Sequence, residues 1–107
     1  MPTYNKLVRD RIPEIIGLEG KNYTVRTLSD EEYAKELKVK LSEELREYLE
    51  TQSDVDAVEE LADIVEIIHA LCTVHGSSAK ALEGVRQAKA EKRGGFQEKI
   101  FLIEVKD

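Results

Sequence analysis

Residues 29–74 carry a helical hydrophobic pattern that breaks only once, at residues 51–53, and this stretch restricts the centre of the chain to a pair of long helices. Ser29 and Glu32 have capping-box spacing, and Leu28 with Tyr33 has the spacing of a hydrophobic staple. From there Tyr33, Leu37, Leu41, Leu45 and Tyr48 form one apolar stripe, and the first helix runs to about Glu50. Ser53 or Asp54 caps the second helix, which continues to about His75 before Gly76 stops it. Its main face is Val58, Leu61, Ala62, Val65, Ile68 and Cys72, and Ile64, Ile67, Ala70, Leu71 and Val74 cover much of the rest. A helix apolar on so many sides is expected at the centre of the fold, and the short turn makes the two helices antiparallel.

Two carboxylate pairs interrupt these faces: Glu44 with Glu47, and Glu60 with Asp63. Residues three apart share one side of a helix. In projection Glu44 falls inside the apolar stripe, Glu47 lies at its edge, and Glu43 points further round, towards water. Glu44 and Glu60 are each eight positions from Gln52, so they should lie level, and the four carboxylates should span about 9 Å along the pair. Most glutamates here, such as Glu31, Glu36 and Glu50, read as a solvated face; Lys40 with Glu44 and Arg46 with Glu50 have ion-pair spacing. Glu44, Glu60 and Asp63 fit that reading poorly because their surroundings are apolar. Carboxylates buried together must either take up protons or share a cation. An all-oxygen donor set suits a hard ion, Mg²⁺ or Mn²⁺.

Around this hairpin the chain is simpler. Lys6, Arg9 and Arg11 make the first eleven residues basic, and Pro13 suits the first turn of a short helix through Glu19, ended by Gly20. Residues 23–28 (YTVRTL) and 99–105 (KIFLIEV) are β-rich and read as strands, each the natural partner of the other, within one chain or between two. Ser77 or Ser78 starts a further helix over residues 78–92, with Leu82, Val85 and Ala88 or Lys89 inward; Gly94 and Gly95 end it. The expectation is one mainly helical domain over residues 1–107, with a small two-stranded β element.

At 107 residues and 36% charged, the chain has the size and polarity of one globular domain. Its net charge of −6 argues against stable nucleic-acid binding, which needs a basic surface. There is no apolar run long enough for a membrane span and no signal-peptide core in the first ten residues. The single Cys72, on an apolar face, reads as a buried, reduced thiol. Together these lead to an expectation of a cytoplasmic protein. Glu66 and His69 match half of a di-iron carboxylate motif, but a second such pair is missing, so His69 reads as a packed or interface residue; His75 reads as a helix end.

Glu43-Glu44-x-x-Glu47 followed by Glu60-x-x-Asp63 resembles the E-E-x-x-E … E-x-x-D pattern of the MazG-like all-α nucleoside triphosphate pyrophosphohydrolases. YNKLVRDRIP at residues 4–13 and EKRGGF at 91–96 resemble one small subgroup of that superfamily, so the resemblance covers nearly the whole chain. It implies an antiparallel helical bundle completed by a second chain, as a homodimer or homotetramer. It also implies Mg²⁺-dependent cleavage of a nucleotide between the α and β phosphates, with Mn²⁺ a substitute, giving monophosphate and pyrophosphate. Glu44, Glu47, Glu60 and Asp63 would be the metal ligands, and Glu43 would orient or activate water beside Glu44 and Glu47. The leaving pyrophosphate needs positive partners, for which Lys6, Arg9 and Arg11 are one source and Lys89, Lys92 and Arg93 another; Lys89 and Arg93 are one helical turn apart. Ordinary solubility is the plain alternative for each of these bases, and Lys92 and Arg93 also suit a helix C-terminus. Phosphoribosyl-ATP pyrophosphohydrolase activity, a non-catalytic interaction bundle and a carboxylate-bridged redox site are the rival functions.

Overall fold

The structure is a computed structural model that describes residues 2–107; Met1, at the head of the basic segment, lies outside them. Four helices follow in order: α1 (Ile12–Leu18), α2 (Asp30–Glu50), α3 (Asp54–Val74) and α4 (Ala79–Arg93). The helices α2 and α3 pack along one another as a hairpin, α4 meets α3 over a short length, and α1 packs against none of the other three.

Local chemistry explains where these helices start and stop. At the head of α2 the Ser29 hydroxyl accepts from the Glu32 amide at 3.2 Å, and the Ser29 amide donates to Glu32 Oε1 at 3.2 Å, a complete capping box. Arg26 adds an ion pair to the same Glu32 at 2.7 Å, and the two contacts hold the Glu32 carboxyl down at about 2. Ser53, rather than Asp54, caps α3 by accepting from the Asp56 amide, and Ser78, rather than Ser77, caps α4 by accepting from the Ala81 amide. Gly76 follows α3 at φ 71° and Gly94 closes α4 at φ 85°, backbone that a side chain would strain. α1 has Pro13 in its first turn, as its sequence suggests, and ends at Leu18.

Three sequence expectations are corrected here. Residues 23–28 and 99–105 form no strand, and the described residues contain none; the two stretches do not reach one another, so neither has a ladder partner. Second, the faces of α3 exchange roles. The side expected to be main leaves Val58, Leu61, Ala62 and Val65 exposed and only Ile68 and Cys72 half-buried, while Ile64, Ile67 and Leu71 on the other side are buried or half-buried. Burial follows the neighbour, and α2 lies on that second side. Third, of the residues expected inward on α4, Leu82 is half-buried, but Val85, Ala88 and Lys89 are exposed because α4 has little to pack on.

Only Leu37 and Ile67 are buried apolar side chains among the described residues. On α2 the stripe holds at Tyr33, Leu37, Leu41 and Tyr48, whereas Leu45 is exposed. The accessible surface is 9873 Å², against about 6,000 Å² for a compact monomer of 12.1 kDa. The radius of gyration is 18.4 Å, against about 13 Å for a compact domain of this length. The C-terminal stretch contributes to both, with Phe96 and Phe101 about nine-tenths exposed or more. Among the described residues no helix is long and apolar enough to cross a membrane.

Candidate metal centre

The hairpin brings carboxylate oxygens of Glu44, Glu47 and Glu60 within 4.8 Å of one another. Glu44 and Glu47 stand one turn apart on α2, and Glu60 faces them from α3. The register that achieves this follows from the turn at residues 51–53, which sets Glu44 and Glu60 opposite each other. Glu44 is only 9% exposed, Glu60 is half-buried and Glu47 opens to solvent. The group is therefore a cleft, closed at its Glu44 end.

Its electrostatics are unbalanced. Lys40 Nζ is 4.0 Å from Glu44 Oε1, the spacing expected along α2, and is the one cation beside that carboxylate among the described residues. Two further oxygens, Glu44 Oε2 and Glu60 Oε2, are buried with no hydrogen-bond partner among the described residues. Two ionised carboxylates can only accept, so neither satisfies the other. Burial, above all, pushes the Glu44 carboxyl above its usual range; the neighbouring Glu60 carboxyl and the negative charges of Asp63 and Glu60 act in the same direction, while the neighbouring Glu47 carboxyl opposes them. Glu47 is raised as well, foremost by the adjoining Glu44 carboxyl, then by burial and the Glu44 charge. Crowded, part-buried carboxylates of this kind are relieved either by a proton or by a cation.

Asp63, one turn after Glu60, is not drawn into the trio. Its Oδ1 accepts from Arg9 Nη2 at 2.6 Å, an ion pair that bridges 54 positions of sequence. Glu43, expected to face water, is half-buried. Lys6, which lies over the Tyr4 ring at 5.5 Å, is exposed, and Arg11 pairs with Glu14 at 3.3 Å. Lys89, Lys92 and Arg93 are exposed on α4, and among the described residues none forms an ion pair with the acidic cleft. The expected Arg46–Glu50 pair is not formed among the described residues either. The Arg9–Asp63 contact was out of reach of sequence reasoning, since helical spacing says nothing about a segment that precedes α1.

Cys72 is a free, half-buried thiol beside an apolar groove between α3 and α4, whose walls include Ile68, Leu71, Leu82 and Val85. His75 lines the same groove and His69 its continuation; neither meets the carboxylates.

No family model matches the chain. Among curated proteins it is similar to an uncharacterized protein of Mycolicibacterium smegmatis, with 55% identity over 42 residues, which make up 39% of this chain and 43% of that one. The match spans less than half the length of either protein, and the relative carries no stated activity. No solved structure matches.

Proposed function

We propose that this protein is a MazG-like nucleoside triphosphate pyrophosphohydrolase that uses Mg²⁺, with Mn²⁺ as substitute, to release a nucleoside monophosphate and pyrophosphate. The observation that carries the reading is the pair of buried, unpartnered oxygens, Glu44 Oε2 and Glu60 Oε2, in a three-carboxylate cleft. The donor set is all oxygen, anionic and open at one side, which suits a hard divalent cation that also takes phosphate oxygens. Glu44, Glu47 and Glu60 would hold the ion, with Asp63 the fourth ligand that the sequence resemblance implies.

When bound, the cation supplies charge neutralisation for the phosphates and for the leaving pyrophosphate. The chain's own residues do the rest. Glu44 and Glu60, fixed on two packed helices, would hold the ion at a set place along the cleft. Glu43 lies beside Glu44 and would orient the attacking water and accept its proton. Lys6, Arg9 and Arg11 at the N-terminal side, with Lys89, Lys92 and Arg93 on α4, are the candidates for receiving the negative leaving group.

The same reading includes a homodimer or homotetramer in the cytoplasm. Its support is the exposed apolar side of α3 at Val58, Leu61 and Val65, together with an accessible surface far above that of a compact monomer. A second hairpin laid on that side would complete a bundle.

Incubation of the purified protein with Mg²⁺ and a panel of nucleotides, with products identified, tests the activity. Monophosphate plus pyrophosphate is the expected result. Turnover of phosphoribosyl-ATP alone would reassign the substrate, and no turnover of any substrate in metal-loaded protein would leave an interaction bundle.

A further inference from the structure

The ion pair between Arg9 and Asp63 joins two groups that the sequence assigns to different tasks, one to phosphate and one to metal. Its geometry is close, at 2.6 Å from Nη2 to Oδ1, yet both side chains remain about half exposed, at 53% and 40%. Such a pair is weak and exchanges readily. Among the described residues it is the one side-chain hydrogen bond or ion pair between the segment preceding α1 and the α2–α3 hairpin.

We propose that Arg9 is a built-in counterion of the acidic cleft, exchanged at Asp63 for a divalent cation and thereby released to the substrate's phosphates. The inference rests on the pyrophosphohydrolase reading above. Three facts of position support it. Asp63 sits one turn along α3 from Glu60, whose Oε2 lacks a partner, so the guanidinium occupies the edge of the cleft. Glu44, nine-tenths buried with its own Oε2 unpartnered, marks the cleft as still short of positive charge with Arg9 in place. Arg9 is also coupled to an element lightly attached to the hairpin: its carbonyl accepts from the Ile12 amide at 3.0 Å, which joins it to α1, and α1 packs against no other helix. A displaced Arg9 can therefore swing with α1 without disturbing the hairpin. Its planar fork then matches phosphate oxygens better than a lysine would.

The test is Mn²⁺ binding, followed by the loss of the free-ion electron paramagnetic resonance signal, in the absence of nucleotide. Wild type, Arg9→Gln, Arg9→Lys and Glu60→Gln are compared, each checked for its helical circular dichroism. Arg9→Gln is expected to bind Mn²⁺ ~2- to 5-fold tighter than wild type, the size of effect a partly exposed ion pair produces. At saturating Mn²⁺ its affinity for a non-hydrolysable triphosphate should fall ~10-fold or more, through loss of a charge-assisted contact. Arg9→Lys should keep near-native Mn²⁺ affinity but lose triphosphate affinity, because it retains the charge and not the fork. In wild type, Mn²⁺ should also speed hydrogen exchange at the Ile12 amide. Equal or weaker Mn²⁺ binding by Arg9→Gln, with Glu60→Gln unable to bind, overturns the exchange and leaves the metal site standing. Mn²⁺ binding that is absent from wild type, or unchanged in Glu60→Gln, removes the carboxylate site itself and the exchange with it.

Discussion

Replacing Glu44 by Gln separates packing from ion binding at one atom. The side chain keeps its shape, sheds a charge that burial disfavours, and lets its new amide donate towards Glu60. Metal-free protein should gain about 1 kcal/mol of stability by this change, read from urea unfolding, while Mn²⁺ binding is lost. Glu60→Gln should abolish turnover with the helical signal intact; retained turnover would remove Glu60 from the site. The same carboxyls predict a pH dependence. Glu44 and Glu47 titrate above the 4.5 of an unperturbed glutamate, so the folded state holds their protons more tightly than the unfolded chain does. Their contribution to stability is complete below pH 4.5 and is lost as pH rises through the raised folded values. Glu32, lowered to about 2, works in the opposite sense: its contribution is present above 4.5 and disappears as pH falls towards 2. Metal-free protein should therefore melt at higher temperature near pH 5 than at pH 8, and saturating Mg²⁺ should reverse the trend, since the ion competes with those protons. A melting temperature that rises with pH in chelator would contradict the crowding of Glu47 and Glu60 around the buried Glu44.

The helices themselves were legible because their signals are local. Ser29 with Glu32, Ser53, Ser78, Gly76 and Gly94 each act within four residues, and each ends or starts a helix where its chemistry says. Ser29→Ala should cost about 1 kcal/mol, because it removes the acceptor for the Glu32 amide from a capping box; calorimetry checks this. The same periodicity placed Glu44 inside the stripe of α2, and the turn length placed Glu60 opposite. The strands failed for the complementary reason. β propensity at residues 23–28 and 99–105 is a preference for a half-buried pleated surface, and no neighbour supplies one here. Which side of α3 is buried was equally beyond a periodicity argument, for apolar residues occupy both sides and only the position of α2 distinguishes them.

For the whole molecule, the exposed side of α3 implies a test of assembly. Sedimentation should give two or four times 12.1 kDa, and Val65→Arg should shift the protein towards a single chain, because a charge there cannot be buried against a second hairpin. A monomer in wild type at micromolar concentration would end that expectation. What the sequence determined by itself was everything carried by neighbours within a few turns: helix ends, the hairpin, and the facing of Glu44 and Glu60. The tertiary structure alone decided which carboxylates share space, that Asp63 turns instead to Arg9, and which apolar faces remain uncovered. The physical reason is range. Capping and helical periodicity are settled by hydrogen bonds and geometry inside one element, whereas charge pairing and burial depend on which distant segment arrives alongside.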